Sequence, residues 1–334
     1  MSFSLFSPRL LSGTALLLAS LAIAPVFTSF SATTAIAEIE QKHQETIVKY
    51  HTQQVGDVEV FYREAGSKDN PTLLLLHGYP SSSHQFRNLI PLLADDYHII
   101  APDYPGFGQT VAPSRAEYDY TFDNLAETTR GLTDALGLEK YAMYVFDYGS
   151  PVGFRLATAN PERITAIITQ NGNAYEEGLT EGWAPIQKYW AEPTEENRVA
   201  LLGFQKLETT QWQYSHGTPD DRLNRISLDP ILHDMRNFGG DEGSDIQLDL
   251  FGDYKSNVAL YPEWQAYLRD NQPPVLAVWG QNDPFFAPAG ARAFLRDVPN
   301  ADVKFIDAGH FPLETHLTEI ASEVDAFLSR VLTD

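Results

Sequence analysis

There is no cysteine anywhere in the 334 residues. That absence excludes disulfides, cysteine metal sites and thiol catalysis together, and it leaves the redox compartment open. Basic residues are scarce: 23 Lys and Arg stand against 45 Asp and Glu, for a formal net charge of -22. So acidic a chain is a poor partner for nucleic acid or for an anionic membrane surface. The nine histidines include no His-Glu-x-x-His pattern, and no glycine loop suited to a phosphate stands out. Beyond the N-terminal segment there is no internal repeat or low-complexity tract. The sequence therefore predicts neither metal nor cofactor; the partners it predicts are a small apolar organic substrate and water.

The N-terminal segment lacks charge. Met1 to Pro8 carry no acidic residue, Arg9 is the only basic residue before Lys42, and an uncharged apolar stretch runs from Leu10 to about Phe27. Ala35-Ile36-Ala37 then places small residues at the two positions a signal peptidase reads. Residues 1–37 read as a secretory signal peptide cleaved after Ala37, which predicts a periplasmic or secreted protein with no stable membrane anchor after cleavage. The alternative is a retained anchor, a role for which Gly13, Ser20 and Pro25 make the stretch a weaker helix. Without cysteine a lipoprotein anchor is excluded.

Past the leader the pattern becomes regular. Ile47, Val48, Val58, Val60 and Tyr62 alternate with polar residues around Gly56-Asp57, which predicts an antiparallel hairpin. Thr72 to Leu76 is a continuous apolar run, as in a strand covered on both faces. Ser83 to Ala94 has helical spacing, and Ile99 to Ala101 is a second buried run. Helix Phe122–Leu136, strand Tyr141–Phe146, helix Pro151–Ala159 and strand Ile164–Thr169 follow. Strands Val275–Trp279 and Val303–Ile306 and a helix from about Glu319 to Leu332 complete the series. Strands alternating with helices predict an α/β fold with a mostly parallel, doubly wound sheet. The stretch 173–272 breaks the rhythm and reads as a helical cap inserted into a core of 38–172 and 273–334.

Three strand ends carry chemistry. Strand Tyr141–Phe146 runs straight into Asp147-Tyr148-Gly149-Ser150-Pro151-Val152-Gly153. A strand that turns at once into a helix needs small residues, and Gly149, Ser150 and Gly153 meet that need; Asp147 stands at the tip. A carboxylate there can attack an sp³ carbon and leave an ester that water hydrolyses, whereas a serine would leave a stable ether. The competing reading is that Asp147 caps the next helix. Asp283 follows the seventh strand and His310 the eighth, in the chain order nucleophile, acid, histidine. In that arrangement His310 activates water and Asp283 orients His310. Asn171, at the end of the sixth strand, cannot be the acid. His77-Gly78-Tyr79-Pro80 follows the third strand and faces the elbow, so the backbone N–H groups of Tyr79 and Tyr148 are the candidate oxyanion hole. His77 reads as loop packing.

These residues resemble the α/β-hydrolase superfamily, in its haloalkane dehalogenase and epoxide hydrolase branch. His77 to Ser83 with Arg87 to Pro91, Asp147 to Ser150, Gly153-Phe154 and Asn160-Pro161-Glu162-Arg163 are similar to haloalkane dehalogenases. Ala101 to Gly108 is similar to the loop after the fourth strand across the branch. The resemblance implies an α/β-hydrolase fold and an aspartate nucleophile acting on a haloalkane or an epoxide.

There are departures. Dehalogenases typically carry Asn after His-Gly and Trp after the nucleophile to hold the departing halide; here Tyr79 and Tyr148 stand there. Epoxide hydrolases use two cap tyrosines as acids. Asp253-Tyr254-Lys255 resembles the segment with one of them. Tyr189-Trp190-Ala191-Glu192-Pro193 resembles the segment near the other, whose position falls near Ile186, so Tyr189 is a stand-in. Tyr79, Tyr148, Tyr254 and Tyr189 are thus the candidate leaving-group or substrate contacts. Two further readings stay open: an ester or lactone hydrolase using Asp147 as base or Ser150 as nucleophile, and a small-molecule-binding homologue without turnover.

Overall fold

The computed structural model describes residues 47–332. The leader 1–37 and its cleavage point lie outside the described residues.

Eight strands form one sheet in the order β1-β2-β4-β3-β5-β6-β7-β8. β1 (Lys49–Val55) and β2 (Val58–Ala65) form the hairpin, with Gly56 at φ +57 in its turn. β2 pairs antiparallel with β4 (His98–Pro102). From β4 onward all pairings are parallel: β3 (Thr72–Leu76), β5 (Tyr141–Phe146), β6 (Ile164–Gln170), β7 (Val275–Gly280) and β8 (Asp302–Ile306).

The continuous apolar runs have a physical reason. Alternate residues of the central strands point to opposite faces, and both faces are covered. Leu74, Leu76, Met143, Val145 and Ile167 join one core, with helices Phe122–Ala135, Gly149–Ala159 and Pro288–Asp297. Leu73, Leu75, Tyr144, Phe146 and Ile168 join the other, with helix Leu317–Val331. Leu73 to Leu76 are each fully buried, worth roughly 1.5–3 kcal/mol apiece.

Between β6 and β7 the chain is built of helices. They include Ala184–Ala191, Leu207–Ser215, Leu228–Asp234 and the 29-residue helix Gly243–Asn271. The single helix expected over Ser83–Ala94 does not form. It is split into a 3-10 turn, Ser83–Phe86, and a short helix, Ile90–Leu93. Ser82 starts the first by accepting from His84 N, and Pro91 fits only the opening turn of the second. Among the described residues no helix is long and apolar enough to cross a membrane.

Candidate active site

The elbow forms because β5 ends at Phe146 and helix Gly149–Ala159 begins three residues later. Asp147 between them adopts φ +47, a left-handed conformation that non-glycine residues rarely take. Close approach is possible because of glycines. A Cβ on Gly149 would collide with the Leu76 carbonyl, and one on Gly78 would lie 2.5 Å from Asp147 Oδ1. The Asp147 carboxylate does not cap the helix, whose N-cap, Tyr148, has no side-chain capping bond. Instead Asp147 Oδ1 accepts the Tyr79 N–H at 2.6 Å, and the Tyr148 N–H also hydrogen-bonds the carboxylate. Burial pushes the Asp147 carboxyl up to about 6, against the pull of His310 and the two N–H donors.

His310 sits on the loop after β8, among Phe146, Phe285, Phe286 and Phe311. Its Nδ1 lies 2.8 Å from Asp283 Oδ2. Burial works against the charged imidazole, but Asp283, through charge and hydrogen bond, and Asp147 more than offset it, so its pKa is raised. The Asp283 carboxylate is saturated: Oδ1 accepts from Phe285 N at 2.7 Å and Phe286 N at 3.2 Å, and Oδ2 also accepts Asn171 Nδ2 at 2.6 Å. An ionised carboxylate only accepts, so it fixes Nδ1 of His310 as the protonated nitrogen and leaves Nε2 free as a base.

Asn171 has a positive role that its sequence position did not reveal. At φ +50 it donates to Asp283 while its Oδ1 accepts Gly280 N at 2.9 Å. It ties the end of β6 to the acid loop after β7. Gly280 and Gly309 let those loops close, since a Cβ on either would collide with backbone oxygen of Gly309 or His216.

Asp147 and His310 share a cavity of about 30 Å³, room for a water or two. Tyr79, Tyr148, Trp183, Ile186, Phe251 and Phe285 are among its walls, and Gln213 is its one further polar side chain outside the tyrosines and tryptophan. The tyrosines divide. The Tyr79 hydroxyl donates to Phe204 O at 3.0 Å, so it is already committed. Tyr148 lines the cavity, and its buried hydroxyl has no hydrogen-bond partner.

Two expectations need correction. Tyr189 is not among the lining residues: Ile186 takes the inward position on that helix, and Tyr189 packs over Gly252 on a separate open groove. Tyr254 is not among them either. Its ring lies behind the wall, 4.3 Å from Trp183 and 5.8 Å from Tyr148, in an aromatic stack that leaves its hydroxyl beside Tyr261.

His77 is a packing residue. Its Nε2 accepts Tyr104 N at 3.2 Å, its Nδ1 faces Gly78 O at 3.1 Å, and burial drops its pKa to about 3. Ser150 is fully buried inside the helix and donates to Asn173 O at 3.0 Å.

Comparison with known proteins agrees with this architecture. The α/β-hydrolase fold family model matches residues 71–317. The chain is 50% identical over 285 residues to an uncharacterized hydrolase of Saccharomyces cerevisiae, covering 83% of this chain and 96% of that protein. It is 26% identical over 276 residues to a haloalkane dehalogenase of Mycobacterium marinum, covering 80% of this chain and 88% of the relative. Over 277 residues it is 26% identical to a cis-3-alkyl-4-alkyloxetan-2-one decarboxylase of Shewanella oneidensis, covering 78% and 83%. The crystal structure of a haloalkane dehalogenase from Bradyrhizobium elkani superimposes with a TM-score of 0.68 at 22% identity, covering 85% of this chain and 99% of that one. The chain is a hydrolase of the α/β-hydrolase superfamily, similar within it to the haloalkane dehalogenases.

Proposed function

We propose that this hydrolase acts on an electrophilic sp³ carbon, that of a haloalkane or an epoxide, through an ester on Asp147. One observation carries the reading: a carboxylate occupies the strained elbow tip, in one cavity with a histidine backed by its own acid. In the first step an Asp147 oxygen attacks the carbon and the leaving group departs with the bonding electrons. In the second, His310 Nε2 takes a proton from water, and the hydroxide attacks the ester carbonyl carbon. The Tyr79 and Tyr148 N–H groups, already turned on the Asp147 carboxylate, hold the oxyanion that forms. Asp283 steadies the imidazolium.

The electrostatics suit the order of events. Asp147 helps raise the His310 pKa. Once Asp147 is an ester that contribution vanishes, and the imidazole is readier to act as a neutral base at the step that needs it. The apolar walls favour a small apolar organic substrate, with water as the second reactant. We assign the protein to the periplasm or the extracellular medium on the signal-like segment 1–37.

A second reading is attack on a strained lactone, favoured by the similarity to the oxetan-2-one decarboxylase. Ser150 does not serve it, because its hydroxyl is turned to Asn173 and it does not line the cavity. The test is to change His310→Gln, offer an ethyl halide, propylene oxide or a β-lactone, and weigh the peptide bearing Asp147. A mass increase of one ethyl group in place of hydrogen with the halide, or of the whole ring-opened molecule with propylene oxide, supports the ester. No adduct from any of the three contradicts it.

A further inference from the structure

Two unpaired side-chain donors in the cavity, the Tyr148 hydroxyl and the Gln213 amide, take no part in the steps above. Gln213 is 1% exposed, its Nε2 has no hydrogen-bond partner, and it lines the same cavity as Asp147 and His310. A buried amide left unpaired destabilises a fold, so its retention calls for a cause. Its neighbours hold it in place. The next residue, Tyr214, donates to Asp234 Oδ2 at 2.6 Å and stacks on Phe311 at 4.0 Å; the preceding one, Trp212, meets Phe285 edge-on at 6.0 Å.

Two other donors on the cavity wall are engaged. Trp183 Nε1 donates to Phe285 O at 3.0 Å, and the Tyr79 hydroxyl donates to Phe204 O. The Tyr148 ring lies edge-on to Phe122 at 4.8 Å, and its hydroxyl, buried and without a hydrogen-bond partner, feels the charge of Asp147 more than that of Asp253; a phenol, unlike an amide, can also lose its proton. A primary amide carries two N–H donors, does not titrate, and cannot give up a proton to a leaving group.

We infer that Gln213 is a catalytic residue of the alkylation step. Its amide N–H donates a hydrogen bond to the electronegative atom that departs from the attacked carbon, whether a halogen or an epoxide oxygen. The inference rests on the Asp147 ester reading. The Asp147 oxygen forms the new C–O bond, the carbon–halogen bond breaks, and its electron pair leaves on the halide while Gln213 keeps its protons. With an epoxide the ring C–O bond breaks, the alkoxide stays on the esterified product, and it takes its proton from water. Gln213 thus supplies, from a cap helix, a non-titrating donor in a cavity where the Tyr79 hydroxyl is already committed.

The test compares Gln213→Met and Gln213→Glu with intact Gln213, all in the His310→Gln background. The rate of Asp147 alkylation is followed by mass with ethyl chloride, ethyl bromide, ethyl iodide and propylene oxide. The expected result is a loss of about tenfold or more in both variants, largest for chloride and smallest for iodide, because the poorer leaving group depends most on the donor. Loss on propylene oxide alone supports the role and names the ring oxygen as the source. Gln213→Met is also expected to melt at a higher temperature than its parent, since it removes the unpaired amide; lower rate with higher Tm is a pairing that a packing role would not produce. Gln213→Glu keeps the side-chain shape and covers a misfolded Met variant. Unchanged rates with all four probes, or one common loss across all three halides, overturn the role of Gln213 and leave the Asp147 ester standing. No adduct with any probe when Gln213 is intact overturns the ester reading, and this inference with it.

Discussion

The contact between Gly78 and Asp147 offers a sharp perturbation. A Cβ added at Gly78 would lie 2.5 Å from Asp147 Oδ1 and 2.8 Å from its Cγ. Carbon atoms in good contact stand about 3.5–4.0 Å apart, so the loop or the elbow must give by roughly 1 Å. Tyr79, the next residue, donates to Asp147 Oδ1 at 2.6 Å. A shift of about 1 Å takes that bond out of good hydrogen-bond range. Gly78→Ala therefore removes one of two donors from the oxyanion site and displaces the nucleophile. Loss of one such donor costs about 10²–10³ in rate, and overpacking a buried site costs about 1–3 kcal/mol in stability. Single-turnover kinetics on an alkylating substrate, beside a urea melt, measure both. A Gly78→Ala protein of undiminished stability that turns over within about threefold of the wild type, a difference of well under 1 kcal/mol, would refute the reasoning. The loop could then not be what positions Asp147.

Other expectations follow from the same geometry. Asp147 must be ionised to attack, so the single-turnover alkylation rate should climb with pH through about 6 and level off above it; His310→Gln should move that rise upward, because His310 holds the Asp147 pKa down. Asn171→Ala removes a 2.6 Å bond to Asp283 and should slow ester hydrolysis about tenfold while sparing alkylation, so that the ester accumulates in rapid-quench mass spectra. Buried Asp234 has its carboxyl pushed up to about 8 by desolvation, so the native state holds a proton that the unfolded chain releases. Wild-type stability should accordingly fall as pH rises from about 4 to about 8 and level off above that, by up to several kcal/mol in all, and urea melts across that range should show that Asp234→Asn escapes most of the fall.

The core was legible in the sequence where burial is two-sided. Thr72–Leu76 and Tyr141–Phe146 are apolar throughout because both faces pack, and their predicted bounds coincide with β3 and β5. Asp147, Asp283 and His310 were readable because each follows a strand directly, and strand ends in a parallel sheet converge on one edge. The cap was less readable. Whether Ile186 or Tyr189 faces inward depends on how a short helix docks on Gly252, which no local pattern encodes. Gln213 stands between Trp212 and Tyr214 in no motif that marks a site, and only tertiary packing places it on the cavity wall. Tyr254 was placed on a segment resemblance, and the aromatic stack that hides it appears only in three dimensions. Ser83–Ala94 kept the spacing of a helix, but Pro91 and the Ser82 cap divide it.

The covalent ester is the centre of the account, and one measurement reaches it directly. The wild-type enzyme is run for less than one turnover in heavy-oxygen water on an alkylating substrate that it hydrolyses, and product and Asp147 peptide are weighed. If Asp147 is the nucleophile, the new hydroxyl of the first product carries ordinary oxygen from the carboxylate, and the label appears in Asp147. If the label goes straight into that hydroxyl and the Asp147 peptide stays light, water attacks the substrate directly, and the ester mechanism is wrong.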